Sequence, residues 1–291
     1  MKTIVKKLIP ILVVTLVAGC GSKSVDFLID NPTDKALKLR IDDTNYDIPA
    51  HQSTAVAMKA GEHSMDAPST GKLKFVVYAD RQGGLVNPTL SDYVIVSEAF
   101  VTGESKLKNF SPAGGGPFQL DGVTYNGPFK LVNSLFIDKD WRFGLNEPFP
   151  SSATGYDAGM GGNIFRKIFR APEFVSYAET RYVQPGYFEK ERQHLSPEPR
   201  KVSGPPPLPE FSDPDLQQAS LKLRELCQRY RHAADTDEQK RLQGEYNKLT
   251  MDFVSFAAPR LGSQPTEQRV KYNNFIQQTG NIMGSSAMVE D

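Results

Sequence analysis

Short runs of alternating apolar and polar residues occupy the chain between 25 and 101, and they restrict this part to β-structure. Leu37, Leu39 and Ile41 alternate with charged residues, so one side of that segment is apolar and the other is charged. Such spacing, repeated at intervals of roughly ten residues between turns, is typical of an antiparallel sandwich. The other apolar runs cover 25–29, 46–48, 56–58, 73–78 and 93–96.

The β-rich pattern continues beyond these runs, with longer Gly- and Pro-containing loops. Asp121-Gly122 lies between two short apolar runs, and an Asp-Gly pair in that setting predicts a tight hairpin turn. We therefore expect a single β-rich domain with long loops at 25–162.

The C-terminal part of the chain changes to helical periodicity. Asp213 is a suitable N-cap and Pro214 suits the first helical turn, so a helix is expected to begin there. Cys227 falls on the apolar stripe of this helix, which predicts a buried, unreactive thiol. Thr236 followed by Gln239 has the capping-box pattern and predicts the start of a second helix.

Proline and glycine mark the expected ends of the later helices. The second helix should end at 259–262, and a third should run from about Thr266 to Thr279 with Gly280 as its stop. Region 214–291 is thus expected to form an α-helical hairpin or a three-helix segment. The predicted fold class is α+β, with an N-terminal antiparallel β-sandwich-like domain followed by these helices.

Aromatic and basic residues are unusually dense in the segment 163–195. Two interpretations stay open: the rings form part of the core, or the segment presents a surface that binds a partner, because interface hot spots use aromatic and Arg side chains. The candidate partner-binding residues are Phe165, Arg166, Phe169, Arg170, Tyr177 and Arg181.

Prolines are concentrated in the next segment, 196–213. Proline at this density favours an extended polyproline II conformation and a semi-rigid spacer between the β domain and the helices. Docking of a proline-binding partner is the alternative.

The N-terminus has the layout of a secretory signal peptide. Lys2, Lys6 and Lys7 precede an apolar run at 8–17, and small residues lead into Cys20. The apolar run is well short of the ~20 residues that a membrane-spanning helix needs. We expect a signal peptide at 1–19 and a tether at 20–24.

The ending Leu16-Val17-Ala18-Gly19-Cys20 resembles the lipobox of bacterial lipoproteins. That resemblance implies cleavage before Cys20, acylation of its thiol and amine with fatty acids such as palmitate, and anchoring to the lipid bilayer. Several acyl chains on one residue anchor a protein firmly. Gly21 follows Cys20 where an Asp would favour the inner membrane, so the resemblance implies the outer membrane, facing either the periplasm or the exterior.

The segment 31–65 is similar to small PEGA-type β-modules of bacterial envelope proteins. Asn31-Pro32-Thr33, the alternating strand at 37–41 and Gly61-Glu62 carry the similarity, although Asp42-Asp43 stands where those modules have an Asp-Gly turn. The modules are structural or adhesive, so the similarity implies no catalytic residue.

Motifs for catalysis, metals and phosphates are missing from the sequence. The four histidines show no HExxH or helical ligand spacing, and there is no GxxxxGK or GxSxG. The segment 43–47 imitates the start of a calcium loop but lacks the required glycine and distal Glu, which indicates an ordinary turn. We expect no catalytic residue, metal or cofactor.

Composition narrows the class of partner. The chain has 34 basic and 34 acidic residues, which excludes a polybasic nucleic-acid binder. Together with the lack of catalytic motifs, the resemblance to bacterial lipoproteins implies a non-enzymatic envelope lipoprotein that binds or scaffolds an envelope protein partner. Two alternatives stay open: an enzyme such as a hydrolase acting on an envelope polymer, and a protective lipoprotein that neutralises a toxin.

Overall fold

The computed structural model describes residues 24–112, 114–152, 159, 161–190, 200–262 and 265–290. Cys20, the predicted signal peptide and most of the predicted tether lie outside these residues. The described strands are β1 Ser24–Asn31, β2 Leu37–Ile41, β3 Thr44–Ile48, β4 Gln52–Lys59, β5 Gly61–Ala67, β6 Gly71–Val77, β7 Gly84–Val86, β8 Tyr93–Val101, β9 Phe118–Leu120, β10 Val123–Tyr125, β11 Phe129–Val132, β12 Phe136–Asp138, β13 Gly162–Arg170 and β14 Ala287–Val289.

Two sheets face each other and form the sandwich that the alternating runs predict. One has the strand order β12-β7-β1-β4 and the other β14-β6-β5-β2-β3. Successive side chains of β1 point to opposite faces of its sheet. Phe27 and Ile29 point into the core shared by the two sheets, whereas Leu28 packs on the opposite face. The sandwich-like β region and the α+β class are thus confirmed.

A third sheet covers the outer face of the β1 sheet. Its order is β11-β8-β13, and β13 pairs with β8 along its whole length, from Gly162↔Val101 to Arg170↔Tyr93. Residues 162–170 therefore belong to the β region, and the predicted boundary at 162/163 is wrong. The sequence does not predict this strand, because both of its faces are largely covered and its apolar and polar residues therefore alternate only weakly.

A hairpin and a helix lie on the far side of this third sheet. Strands β9 and β10 pair through Asp121 and Gly122, whose φ angles of 50° and 80° match the left-handed turn that the Asp-Gly pair predicts. Helix α1, Ala171–Tyr182, follows β13 directly. Its Phe174 and Val175 pack with the hairpin into one core cluster.

Three further helices complete the described chain: α2 Pro214–Arg231, α3 Thr236–Leu261 and α4 Thr266–Gly284. Asp213 caps α2 as predicted, accepting from the backbone N–H groups of Asp215 and Leu216 at 2.9 and 3.1 Å. Within the described residues, no helix combines the length and the apolar character needed to cross a membrane.

Two predicted details of the helices are wrong. Asp235 caps α3 by accepting from Glu238 N, so Thr236 and Gln239 do not form the predicted capping box. Helix α4 continues through Gly280 to Gly284, because its last turn is held by buried Ile282 and Met283. The end of α3 lies within the predicted 259–262: the helix includes Pro259 and ends at Leu261, with Gly262 as its C-cap.

The helices pack directly on the outer face of the β6 sheet. Tyr78, next to β6, stacks on Tyr230 of α2 with ring centroids 4.4 Å apart. Gln239 lies in the same interface, donating to Val77 O at 3.0 Å and accepting from Ala79 N at 2.8 Å. The helical region and the sandwich therefore share one core cluster.

The described part of the proline-rich segment, 200–213, is also packed. Arg200 donates to the Leu90 carbonyl and to Asp92, both at 2.9 Å, and Val202 packs against the sandwich core. Leu208 and Phe211 pack among the helices. This part of the predicted spacer is therefore a strap along the surface, and it does not hold the helices away from the β domain.

Candidate ligand-binding cleft

A cleft lies at the open side of the sandwich, where the edge strands of its two sheets, β12 and β14, come together. Its volume is about 330 Å³, which falls within the range of small-molecule sites. Helix α4 forms one wall, and residues 203–206 of the proline-rich strap form another. Three separate parts of the chain thus converge on one concave surface.

The floor of the cleft is apolar. Part of it is formed by β14, the edge strand of its sheet. Ala287 belongs to the sandwich core and Met288 to the core shared with the helices. Leu135 and Ile282 are also buried and line the cleft. Pro205, partly exposed in the strap, has no backbone N–H, so it cannot extend the sheet into the opening.

Two hydrogen-bond acceptors stand out among the polar lining residues. The Asp138 carboxylate, at the end of β12, accepts from Ser286 N at 2.6 Å through Oδ1. Gln278 of α4 presents a buried Oε1 atom that accepts no hydrogen bond from any described residue. A buried acceptor without a donor costs about 1–3 kcal/mol, so this oxygen lowers the stability of the fold.

The surroundings of Asp138 shift the pKa of its carboxyl group upward. Protein atoms crowd the carboxyl group and raise its pKa above the ordinary value, since removal from water penalises the charge. The Ser286 hydrogen bond and the charge of Arg81 oppose that shift without cancelling it. Arg81 itself is held by Met283 O and by Tyr230 Oη, the latter at 3.3 Å. A ligand that donates a hydrogen bond to Asp138 would stabilise its ionised form.

This arrangement suits binding. The apolar floor can take a hydrophobic group, and the Asp138 carboxylate beside it can accept a hydrogen bond. Within the ranges that the structure describes, no three His, Cys, Asp or Glu side chains converge as metal ligands. His63 is instead engaged by Asp42 Oδ2 at 2.6 Å and by Lys59 O at 2.7 Å, and His51 pairs with Asp34 at 2.9 Å.

The predicted partner-binding rings are part of the core. Phe165 and Phe169 are 7% and 5% exposed. Phe165 packs near Phe100 and Phe143, and Phe169 packs near Tyr177 with ring centroids 4.8 Å apart. The core interpretation of these rings is the one that the structure supports, and neither ring is available to a partner in this conformation.

Arg170 is likewise buried. It donates to both carboxylate oxygens of Asp30, with Nε–Oδ2 at 2.9 Å and Nη2–Oδ1 at 2.6 Å, and to Glu173 at 2.8 Å. Tyr93 Oη donates to the same Asp30 at 2.7 Å. The charge of Arg170 is therefore used inside the fold and does not face a partner.

Two of the remaining candidates, half-buried Tyr177 and exposed Arg181, lie around a second carboxylate. Glu98 of β8 accepts from Tyr177 Oη, from Tyr182 Oη at 2.9 Å and from Arg181 Nη2 at 3.2 Å. The structure thus brings Tyr177 and Arg181 together. Arg166 lies elsewhere, in an ion pair with Asp140. Partner binding by Arg166, Tyr177 and Arg181 stays a prediction.

Sequence reasoning missed the cleft because no local motif marks it. Its lining comes from 134–138, 203–206 and 278–289, and none of these segments carries a pattern of catalytic or ligand-binding residues. The only available signal was indirect: Asp138 and Gln278 are polar residues within or next to apolar patterns. Comparisons of the chain with protein-family models, with curated proteins and with solved structures found no match.

Proposed function

We propose that the protein is a lipid-anchored lipoprotein of the bacterial cell envelope that acts as a non-enzymatic binding component. The observation that carries the proposal is the sequence Leu16-Val17-Ala18-Gly19-Cys20, placed directly after a basic head and a short apolar run. An acylated Cys20 would anchor the chain in the outer membrane, where it serves as a binding or scaffolding subunit of an envelope assembly.

The position of the first strand is compatible with this anchor. β1 begins at Ser24, so only residues 21–23 separate the sandwich from Cys20. A fully extended chain reaches at most ~3.6 Å per residue. The sandwich would therefore sit close to the bilayer surface.

The cleft between β12, β14 and α4 supports the binding role. An apolar floor with a few polar groups at the rim is the usual composition of a small-molecule site. The buried Asp30–Arg170 pair fulfils a structural role in the fold. The exposed Arg181 and Tyr182, which lie with half-buried Tyr177 around Glu98, give the envelope assembly a second surface to contact.

The anchor is tested by Cys20→Ser, with Cys227→Ala as the matched control. Both variants lose one thiol, but only Cys20 lies in the lipobox-like sequence. We expect Cys20→Ser to lose labelling by a palmitate analogue, to retain residues 1–19 and to leave the outer-membrane fraction. We expect Cys227→Ala to be labelled and fractionated like the parent. Lipid labelling of Cys20→Ser would contradict the proposal.

The binding role is tested in the native membrane. A photocrosslinker at Arg181 should capture a specific envelope protein, and one at exposed Met251 on α3 should not, because Met251 lies outside the Glu98 cluster. Turnover of an envelope polymer by the purified protein, with no crosslinked partner, would instead favour the hydrolase alternative.

A further inference from the structure

Strand β4 is an edge strand of the sandwich. Within the described part of the chain it pairs with β1 alone. An antiparallel ladder uses the backbone groups of every second residue, so the other N–H and C=O groups of β4 point away from β1. The contacts that β4 backbone atoms make to other described residues lie at the strand ends: Gln52 N donates to Pro49 O at 3.3 Å, and Lys59 O lies 2.7 Å from His63 Nε2.

β4 has none of the features that usually protect a sheet edge. Natural edge strands are short, bulged, charged, covered or interrupted by proline. β4 instead runs for eight residues, QSTAVAMK, in unbroken register with β1, and its one charge is at the end. Val56 packs against the sandwich core, so Ala55 and Ala57 lie on the other face, where both are exposed. This strand is therefore a ready template for another strand.

The other edge strands of the described sheets differ from β4. β13 is long, but residues 142–143 run beside it: the N–H groups of Arg142 and Phe143 donate to Arg166 O at 3.0 and 3.1 Å, and Ile168 N donates to Phe143 O at 3.2 Å. The remaining edge strands, β3, β9, β10, β11, β12 and β14, have three to five residues each. Only β4 is both long and uncovered among the described strands.

We propose that β4 pairs antiparallel with β4 of a second copy of this chain, which joins the two sandwiches through one continuous sheet. A two-fold axis perpendicular to the sheet keeps each side chain on its own face, so one residue must lie opposite its own copy. With Ala55 in that position, Ser53 faces Ala57 and Thr54 faces Val56 of the other copy. These small and β-branched pairs suit neighbouring strands.

The charges at the two ends of β4 favour a second copy as the occupant. Lys59 lies at one end, and Asp34, whose side chain is 94% exposed, lies at the other end beside His51 at 2.9 Å. Pairing about Ala55 places Lys59 of each copy opposite residue 51 of the other, next to the Asp34 carboxylate. Opposite charges therefore meet at both ends, whereas parallel pairing in register would place Lys59 beside Lys59.

Opposite charges introduced at Ala55 test the inference. Ala55→Lys places two lysines opposite each other in the proposed dimer, and Ala55→Glu places two carboxylates there. Each variant alone should raise the dissociation constant of the dimer about fivefold or more. An equal mixture of the two variants should restore pairing, because each lysine then faces a glutamate.

The full-length protein is measured by size-exclusion chromatography with light scattering, in detergent micelles with the detergent mass subtracted, or in buffer if it carries no lipid. Co-purification of the Glu variant with a tagged Lys variant detects the mixed dimer. Asn45→Lys is the matched control: it adds the same charge to an exposed position of the other edge strand, β3, and should leave the dimer unchanged.

Three results would overturn the inference. The first is a parent protein that stays monomeric at its highest soluble concentration, including one whose β4 crosslinks to a different envelope protein. The second is parent-like pairing of both Ala55 variants while circular dichroism shows that they are folded. The third is a mixture that stays monomeric. Because these measurements need no lipid on Cys20, they can fail or succeed separately from the fractionation of Cys20→Ser.

Discussion

Asp30 and Arg170 form a two-pronged ion pair inside the protein, although one belongs to the first strand and the other ends β13. Both carboxylate oxygens are occupied, and Tyr93 adds a third hydrogen bond to the same group. The pair fixes the β1 sheet against the third sheet. Burial of such a pair gains little by itself, but the loss of one partner leaves an uncompensated charge.

We therefore expect Arg170→Met to destabilise the protein by about 3–5 kcal/mol. Urea unfolding followed by circular dichroism measures the change. The double variant Asp30→Leu/Arg170→Met should recover much of the loss, because no lone charge remains. Arg166→Met is the control: Arg166 is partly exposed and pairs with Asp140 at the surface, so its loss should cost under about 1 kcal/mol. An equal loss in Arg166→Met and Arg170→Met would contradict the assignment.

Gln239 links helix α3 to the β6 sheet by hydrogen bonds, so its replacement should lower the free energy of unfolding. The side chain is fully buried, donates to Val77 O at 3.0 Å and Ala233 O at 2.7 Å, and accepts from Ala79 N at 2.8 Å. Gln239→Leu leaves these groups without partners and should cost about 1–3 kcal/mol. Urea unfolding tests this against Gln277→Leu, an exposed site on α4 that should change stability little.

The lone thiol in the described residues should be inert in the folded protein. Cys227 is 1% exposed, and burial raises its pKa to about 12. At pH 8 only about one thiol in ten thousand would be ionised, and the thiolate is the reactive form. We expect no reaction with a thiol reagent such as DTNB until urea unfolds the chain. Rapid reaction of native Cys20→Ser protein would show that the helix interface opens easily.

The free energy of unfolding should fall at alkaline pH, because buried tyrosines resist ionisation in the folded state. Burial raises the pKa values of Tyr78 and Tyr93 well above 10 in the folded state, whereas the unfolded chain ionises near 10. The unfolded state then binds fewer protons than the folded state at high pH, so stability is complete below pH 10 and declines above it.

Urea unfolding at several pH values between 8 and 11 measures this decline. Tyr78→Phe should lose the hydrogen bond to Arg231 O at 2.9 Å but flatten part of the pH dependence. Tyr187→Phe, which changes an exposed ring, serves as the control. A pH dependence that is the same in Tyr78→Phe and in the parent would contradict the role of this hydroxyl.

Features that depend on neighbouring residues could be predicted from the sequence, whereas features that depend on contacts between distant residues could not. Asp213 as an N-cap and the Asp121-Gly122 turn were predictable because neighbouring backbone atoms determine both. Gln239 was misassigned because two of its hydrogen-bond partners, Val77 O and Ala79 N, lie at the distant end of β6, and Asp235 was an equally good cap. The strand at 162–170 was missed because it is covered on both faces.

Strand β14 protects one edge of its sheet. It pairs with β6, whose Phe75, Val76 and Val77 are fully buried. A sheet edge without a partner strand invites pairing with other chains. Three residues, Ala287–Val289, thus guard this sheet against aggregation, and their detachment would open the β6 backbone to strands from other molecules.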